Sequence, residues 1–512
     1  MKKKTNPIRL NQLDGEEYFE EGHLQKDLKA KSIRSGAITL ISQGSTFGLR
    51  MISTIVLARL LTPGDFGLIA MVTAITGFVE MFKDLGLSMA TVQRSDINHP
   101  QVTNLFWINV AVSILVGAAL ALGSPLIAWF YKEQRLIRIT LALASTLILS
   151  GLTVQHMALL NRQLRFFEIA CIQVGSMAIS VSAGIGMALY GMGYWSLVGM
   201  SIALQLTYVV LSWSVCKWRP SMPIRKAGTG ALLKFGGHLT GFNIVNYFAR
   251  NFDNILIGRF CGATALGFYS KAYSLMMLPI TQIRTPLHKV SIPVLSRLQD
   301  DPPRFRRYYI KLVGLIAFIT MPLMVFSFIN GDKIIILVLG DRWLGAISIF
   351  KMLCIAAFVQ PVSTTWGLVL VSLGQSGRYL KWGILNSLII IGSFAAGINW
   401  GGFGVATGYA IATYTLLLPT LWYCLKLTPI RVTDFFRSIW KQVTASLISG
   451  CSIFLTRSCI DFEAAPLFIL LASLFAVYLI GFTVVFLILP GGLADLREYL
   501  SYRLFLKRKA AI

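Results

Sequence analysis

Five cationic side chains, Arg50, Arg250, Lys271, Arg284 and Lys351, stand inside long apolar runs. At the centre of a membrane helix an arginine costs about 2.5–3.5 kcal/mol on insertion scales, so such a residue usually faces a bundle interior or a wet cavity. Arg50 has polar company. Thr39, Gln43, Thr46, Arg50 and Ser53 or Thr54 recur every three or four residues, which is one face of a helix. Thr240, Asn243, Asn246, Arg250 and Asp253 or Asn254 repeat the pattern later in the chain. The chemistry that fits is anion recognition. A guanidinium offers paired donors to a phosphate or pyrophosphate. Gln43, Asn243, Asn246 and Asn254 would add hydrogen bonds to phosphate or sugar, with Asp253 on the same face. Arg284, near the inner end of its helix, is placed to meet an entering anionic head group. Lys271 and Lys351 lie near outer helix ends, where snorkelling competes with a binding role. Structural ion pairs are the other reading: Asp253 stands one turn from Arg250, and Glu80 could pair with Arg50. Both readings remain open at this level.

Enzyme chemistry finds no footing. The five histidines, His23, His99, His156, His238 and His288, have no carboxylate or cysteine at catalytic or metal-ligand spacing. No nucleophile elbow, phosphate-binding loop or H-E-x-x-H motif occurs. The seven cysteines are scattered, without a C-x-x-C pair, so no metal, cofactor or disulfide framework is expected. The formal charge of +25 would suit nucleic acid, but the basic residues lie in loops between apolar runs, where a positive-inside bias explains them. No nucleic-acid partner is expected.

The elements that must position the arginines are membrane helices. Hydrophobic residues make up 55% of the 512 and charged residues 13%, against about 25% charged in soluble domains. Apolar runs of about 20 residues, long enough to cross a bilayer core, recur from Gly36 to Leu489. We expect an all-α polytopic protein with fourteen spans, at 36–60, 64–85, 105–131, 136–158, 166–190, 193–216, 232–258, 266–288, 312–331, 345–373, 382–400, 402–425, 442–457 and 464–489. With the N terminus inside, most of the 47 lysines and arginines fall on the cytoplasmic side. An even number of spans with both ends cytoplasmic follows. Residues 1–34 lack an apolar core and read as a cytoplasmic tail, and 491–512 as a basic one.

The chain also matches itself. With an offset of 200 residues Arg50 falls on Arg250, Ile55 on Ile255, Arg59 on Arg259 and Gly67 on Gly267. Further on the offset is 209: Gly193 matches Gly402, Trp213 matches Trp422, Lys217 matches Lys426 and Pro220 matches Pro429. Two six-helix copies follow, an N-lobe at 35–228 and a C-lobe at 229–430, with two extra helices at 431–490. Six is even, so the copies share one topology, a parallel repeat. The matched polar stripes would line the seam between them. Pro279 and Pro286 interrupt the eighth span, a kink that suits alternating access and static packing alike. Trp107, Trp129, Trp195, Trp343, Trp400 and Trp440 sit at span ends, as interfacial anchors do.

The stretch from Val56 to Gly67, VLARLLTPGDFG, resembles the first external turn of bacterial polysaccharide exporters. So do Asp253 to Arg259 followed by Ala265 to Tyr269, Asp84 to Leu87, and Pro293 to Arg297. The resemblance, over about residues 35–430, is to the polysaccharide transporter branch of the multidrug/oligosaccharidyl-lipid/polysaccharide flippase superfamily, which includes Wzx-type and WzxC-like exporters. It implies a two-lobed, 14-helix inverted V with a cationic central cavity, in a bacterial inner membrane. It implies movement of undecaprenyl-pyrophosphate-linked oligosaccharide to the outer leaflet by alternating access. The partners implied are that lipid, membrane lipids, and a polysaccharide polymerase with its export machinery. No shared motif fixes ligand residues in this family, so Arg50 and Arg250 rest on the physical argument. The rivals are a cation-coupled drug antiporter and a membrane-embedded glycosyltransferase or polymerase. The residues name neither the glycan, the coupling ion nor the oligomeric state.

Overall fold

The computed structural model describes residues 28–84, 87–93, 97–223, 230–459 and 466–499, with side chains described from residue 36 onward except at 80–86, 90, 93–96, 224–250, 456–465 and beyond 499. Among the described residues every regular element is a helix. In hydrocarbon each backbone amide must find its partner within the chain, and helices supply that locally. The first nine are α1 (Leu28–Leu60), α2 (Pro63–Asp84), α3 (Leu87–Gln93), α4 (His99–Leu122), α5 (Ser124–Tyr131), α6 (Arg135–Gly151), α7 (Val154–Arg162), α8 (Phe166–Leu189) and α9 (Trp195–Val215). Ten more follow: α10 (Gly230–Arg297), α11 (Pro302–Ile329), α12 (Gly331–Val338), α13 (Ile347–Ser363), α14 (Trp366–Ser372), α15 (Ser376–Gly397), α16 (Gly401–Thr415), α17 (Leu417–Leu425), α18 (Val432–Cys459) and α19 (Leu467–Ile488). Helix occupies the body of every expected span. Eight helices or short-break runs of helix among the described residues are long and apolar enough to cross a membrane. The chain is a polytopic α-helical membrane protein.

Residues 1–251 and 252–512 form two compact units. The expected lobe boundary at 228–229 lies just ahead of α10, and the units divide inside that helix. The seventh and eighth spans run together as α10, turning at Gly262, whose φ of 83° is open to glycine alone at little cost. Pro279, Pro286 and Pro293 lie inside α10 without ending it. Gly262 is the turn between the seventh and eighth spans.

The two units repeat one packing scheme. In the first, α6 packs on α4 and α9, and α8 on α9. In the second, α13 packs on α11 and α16, and α15 on α16. Local devices match too. Asn98 caps α4 by accepting from the Gln101 N–H, and Asp301 caps α11 by accepting from the Arg304 N–H, each with proline in the first turn. The fourth span of each unit is broken in mid-course, between α6 and α7 and between α13 and α14. Each break is followed by a left-handed residue, Leu164 at φ 54° and Gly374 at φ 68°. Along α1 and α10 the burial coincides: Ser53, Leu57 and Ala58 are buried, as are Asp253, Ile257 and Gly258, with half-buried residues between. The 200-residue offset is thus a register of the structure.

The two C-terminal helices dock on the second unit. α18 packs along α11 and against α19. Phe318 of α11 meets Phe482 and Phe486 of α19 at ring separations of 5.3 and 5.0 Å. Near the start of α11 and α18 Arg306 binds Asp434 through two hydrogen bonds of 2.7 and 2.5 Å, and Lys441 meets Asp495 at 2.5 Å. Lys311 pairs with Glu498, and Gln442 donates to the Gly314 carbonyl and to Tyr499 Oη at 3.2 Å each.

Of the expected tryptophan anchors, Trp129 and Trp400 are exposed, and Trp107 and Trp440 partly so. Trp343 departs from that expectation. It is fully buried, 6.1 Å from the Phe268 ring. The short helical turn at Asp341–Ala346 folds its indole into the unit, so it packs as core.

Candidate functional site

The first polar stripe lies on α1. Successive helical residues are about 100° apart, so positions two apart point nearly opposite ways. Ile41 and Ile52 are exposed on one side of α1, as suits hydrocarbon, and Gln43 and Arg50 are exposed on the other. Arg50 lies ten residues from the end of α1 at Leu60, about 15 Å along the axis. Two turns nearer that end, on nearly the same face, Leu57 is 1% exposed. The stripe is therefore covered toward Leu60 and open from Arg50 toward Gln43. Thr46 bonds back to the Ser42 carbonyl at 2.8 Å, and buried Ser53 donates to Met200 Sδ at 3.5 Å. Among the described residues no carboxylate or other acceptor reaches the Arg50 guanidinium. Glu80, the partner considered for it, has its side chain outside the described residues.

The second stripe lies on α10. The side chains of Asn243, Asn246 and Arg250 lie outside the described residues. Asp253 is described, and it is 4% exposed. Its Oδ2 accepts from Tyr269 Oη at 2.8 Å and its Oδ1 from the Asn254 N–H at 2.8 Å. Tyr269, 1% exposed, stacks on Tyr273 with ring centres 6.2 Å apart. The Asn254 side-chain oxygen is buried without a hydrogen-bond partner in the structure. Lys271 is half-buried further along the same helix. Arg284 donates from Nε to His288 Nε2 at 3.3 Å, one turn away.

Asp253 and Asn254 thus share a locality with Tyr269, and Arg284 one with His288, whereas Arg50 stands on its own helix face. Sequence reasoning missed Tyr269 and His288. Tyr269 sits in the Ala265–Tyr269 segment that carries the family resemblance, but nothing in its spacing points to a carboxylate sixteen residues away. His288 was legible as the residue one helical turn after Arg284. Away from the stripes the first unit holds a second polar group: Gln155, His156 and Asn109 are fully buried, and His156 stacks on Trp213 with ring centres 4.5 Å apart. In the first turn of α18, the Arg306 guanidinium holds the Asp434 carboxyl below the usual carboxylate range. Among the described residues no group of three His, Cys, Asp or Glu side chains could hold a metal ion.

A family model described as polysaccharide biosynthesis protein matches residues 56–348, more than half of the chain. The chain is 28% identical over 429 residues to the teichuronic acid biosynthesis protein TuaB of Bacillus subtilis (strain 168), covering 83% of this chain and 89% of that protein. It is 25% identical over 435 residues to the lipopolysaccharide biosynthesis protein WzxC of Escherichia coli (strain K12), covering 82% and 86%. Among solved structures the lipid II flippase MurJ, in an inward closed conformation, superposes with a TM-score of 0.70 at 15% identity, covering 87% of this chain and 97% of that one. At that identity the likeness establishes the fold.

Proposed function

The chain belongs to the polysaccharide biosynthesis protein family, and from that premise we propose that it carries an anionic, lipid-linked oligosaccharide across a bacterial inner membrane. It is a transporter. The cargo class that fits is an oligosaccharide repeat unit on undecaprenyl pyrophosphate, flipped outward by alternating access for assembly of a surface polysaccharide. The lipid tail stays in the bilayer, so only the head group needs a polar path.

One observation carries this reading. Arg50 is exposed on the face of α1 opposite its lipid-suited isoleucines, with no described counter-charge. A guanidinium at that depth, without a counter-charge among the described residues, suits a phosphate that brings its own charge. Gln43 shares the face. Arg250, Asn243, Asn246 and Asn254 on the matched stripe are further contacts in this reading, and Asp253 enters through its charge. Arg284 beside His288 meets the head group near the cytoplasmic side, and Lys271 lies further along the outward path. Fourteen spans with both ends cytoplasmic complete the arrangement. A polymerase and export complex would take the flipped product.

The test is flipping of a fluorescent undecaprenyl-pyrophosphate-oligosaccharide in proteoliposomes. Wild type is expected to flip it, and Arg50→Ala to flip at least about tenfold more slowly with unchanged thermal stability. Export of small organic cations by a wild type that leaves the lipid unmoved would replace this reading with that of a drug antiporter.

A further inference from the structure

The broken fourth span of each unit meets a matched position of a neighbouring helix, and the two units fill that place differently. Phe106 stands eight residues after the Asn98 cap of α4, and Tyr309 eight after the Asp301 cap of α11. In the second unit Tyr309 and Thr365, at the break between α13 and α14, share a hydrogen bond of 2.9 Å. In the first, Phe106 meets His156, in the first turn of α7, at a ring separation of 5.9 Å. His156 is 0% exposed, and neither ring nitrogen makes a well-formed hydrogen bond. The Asn109 amide, one turn along α4, and the Gln155 NH2 group are likewise buried without partners, so the place is polar beyond the one ring.

The acceptors in reach of His156 are the backbone carbonyls of Leu152 and Trp218. Each already receives one N–H, from Trp213 Nε1 at 3.0 Å and from Arg219 Nη1 at 2.9 Å, and a carbonyl can accept two. An imidazole facing two acceptors fills both only as imidazolium, which has a hydrogen on each nitrogen. Aromatic rings surround it, Trp213 at 4.5 Å, Trp218 at 5.3 Å and Phe106 at 5.9 Å, all within cation–π range. Of the elements packed against α7, α3 brings no charged side chain, and α4 brings His99. α8 brings Glu168, which is paired with Arg165, and α9 is followed by Lys217 and Arg219. Arg162 of α7 itself donates to the Thr91 carbonyl. Among these, Arg219 acts on the ring from over Trp213, and it opposes a second cation.

We infer that His156 is a proton-binding site built into the first unit and absent from the matched place in the second, and that a proton taken up there drives flipping. It lies where a membrane helix breaks, and ionisable side chains inside membranes mark ion and proton paths. The imidazole takes one proton from solvent and returns it, with no other bond changed. The site stands on the geometry of the first unit, and the drive rests on the flippase reading.

Tryptophan emission of the purified full-length protein in detergent tests the site, because an imidazolium in contact with an indole quenches it. Wild type is expected to show a titration step between about pH 8 and about pH 4, His99→Gln to keep it and His156→Gln to lose it. Arg219→Ala, which removes the opposing charge, is expected to move the step to higher pH by about one unit. In proteoliposomes an imposed pH gradient is expected to speed flipping of the fluorescent polyprenyl-pyrophosphate-oligosaccharide in wild type, by up to about tenfold per pH unit, and to leave His156→Gln unaffected. Should His156→Gln fail to fold, Arg219→Ala decides. The site is overturned if His156→Gln titrates like wild type, or if a folded Arg219→Ala leaves the step in place. The drive is overturned if His156→Gln answers the gradient as wild type does. If the step appears as expected while wild type flips no lipid, the proton site stands and the flippase reading fails.

Discussion

Replacing Tyr269 by phenylalanine removes a single oxygen, and the structure sets the cost. The phenol donates to Asp253 at 2.8 Å, and with the two residues 1% and 4% exposed no water can take its place. A hydrogen bond to a charged group contributes about 1.5–3 kcal/mol, and here the full value applies, about 2 kcal/mol. For a unit of this size that lowers the thermal midpoint by about 4–8 °C. A thiol-reactive dye reporting on buried Cys354 and Cys424 follows unfolding in detergent. Asp253→Asn converts the same contact to a neutral bond of about 1 kcal/mol. A cycle of the two substitutions should therefore show a coupling of about 1–2 kcal/mol. If Tyr269→Phe leaves the midpoint unmoved, or the two effects add to within about 0.5 kcal/mol, the contact does not hold an ionised carboxylate.

Other expectations follow from local geometry. Gly374 sits at φ 68° with nothing within 4 Å of an added Cβ, so Gly374→Ala should cost about 1 kcal/mol in stability for purely conformational reasons. Gly48 lies in regular helix with equal room, so Gly48→Ala should leave stability unchanged or raise it by up to about 1 kcal/mol. Arg219 donates to the carbonyls of Trp213, Cys216 and Trp218 at 2.9, 2.7 and 2.9 Å and lies over the Trp213 ring. Arg219→Ala should lower stability by about 1–2 kcal/mol, and Arg219→Lys should recover only part of that loss. Arg306 lowers the Asp434 pKa in the folded state. The stability from that pair is therefore fully present above the unfolded carboxyl pKa of about 3.9 and disappears as pH falls through the lower folded value. Thermal midpoints measured from pH 6 to pH 3 should fall less steeply at the acid end in Asp434→Asn than in wild type.

Hydropathy and the rare residues made most of the architecture legible. Arg50 and Arg250 marked the repeat because arginine is scarce in apolar runs, and the matching burial at 53–58 and 253–258 shows that the same register packs. Asn98 and Asp301 escaped the comparison because the offset there is neither 200 nor 209, and a cap is recognised by its role rather than its letter. The broken fourth spans were hidden for a similar reason, since hydropathy averages across a two-residue interruption. α11 begins at Pro302 instead of 312 because an aspartate cap and two prolines start the helix in the charged stretch before the apolar run. In the site, the α1 stripe was readable from its spacing of three and four. The Tyr269 contact of Asp253 was not. A contact made across the Gly262 turn leaves no periodic trace, and one-turn proximity pointed only to Arg250, whose side chain lies outside the described residues.

The contacts that fasten α18 to α11 have a mechanical consequence. Arg306 to Asp434 and Gln442 to Gly314 join α18 to α11, Lys311 to Glu498 ties the 492–499 helix to α11, and Phe318 inserts beside Phe482 and Phe486 further along. Helices fastened at two heights along a neighbour share its displacement, so α18 and α19 report whatever α11 does. Cys451 is exposed on α18. A spectroscopic label on that native thiol would track the second unit through its working cycle without touching either polar stripe.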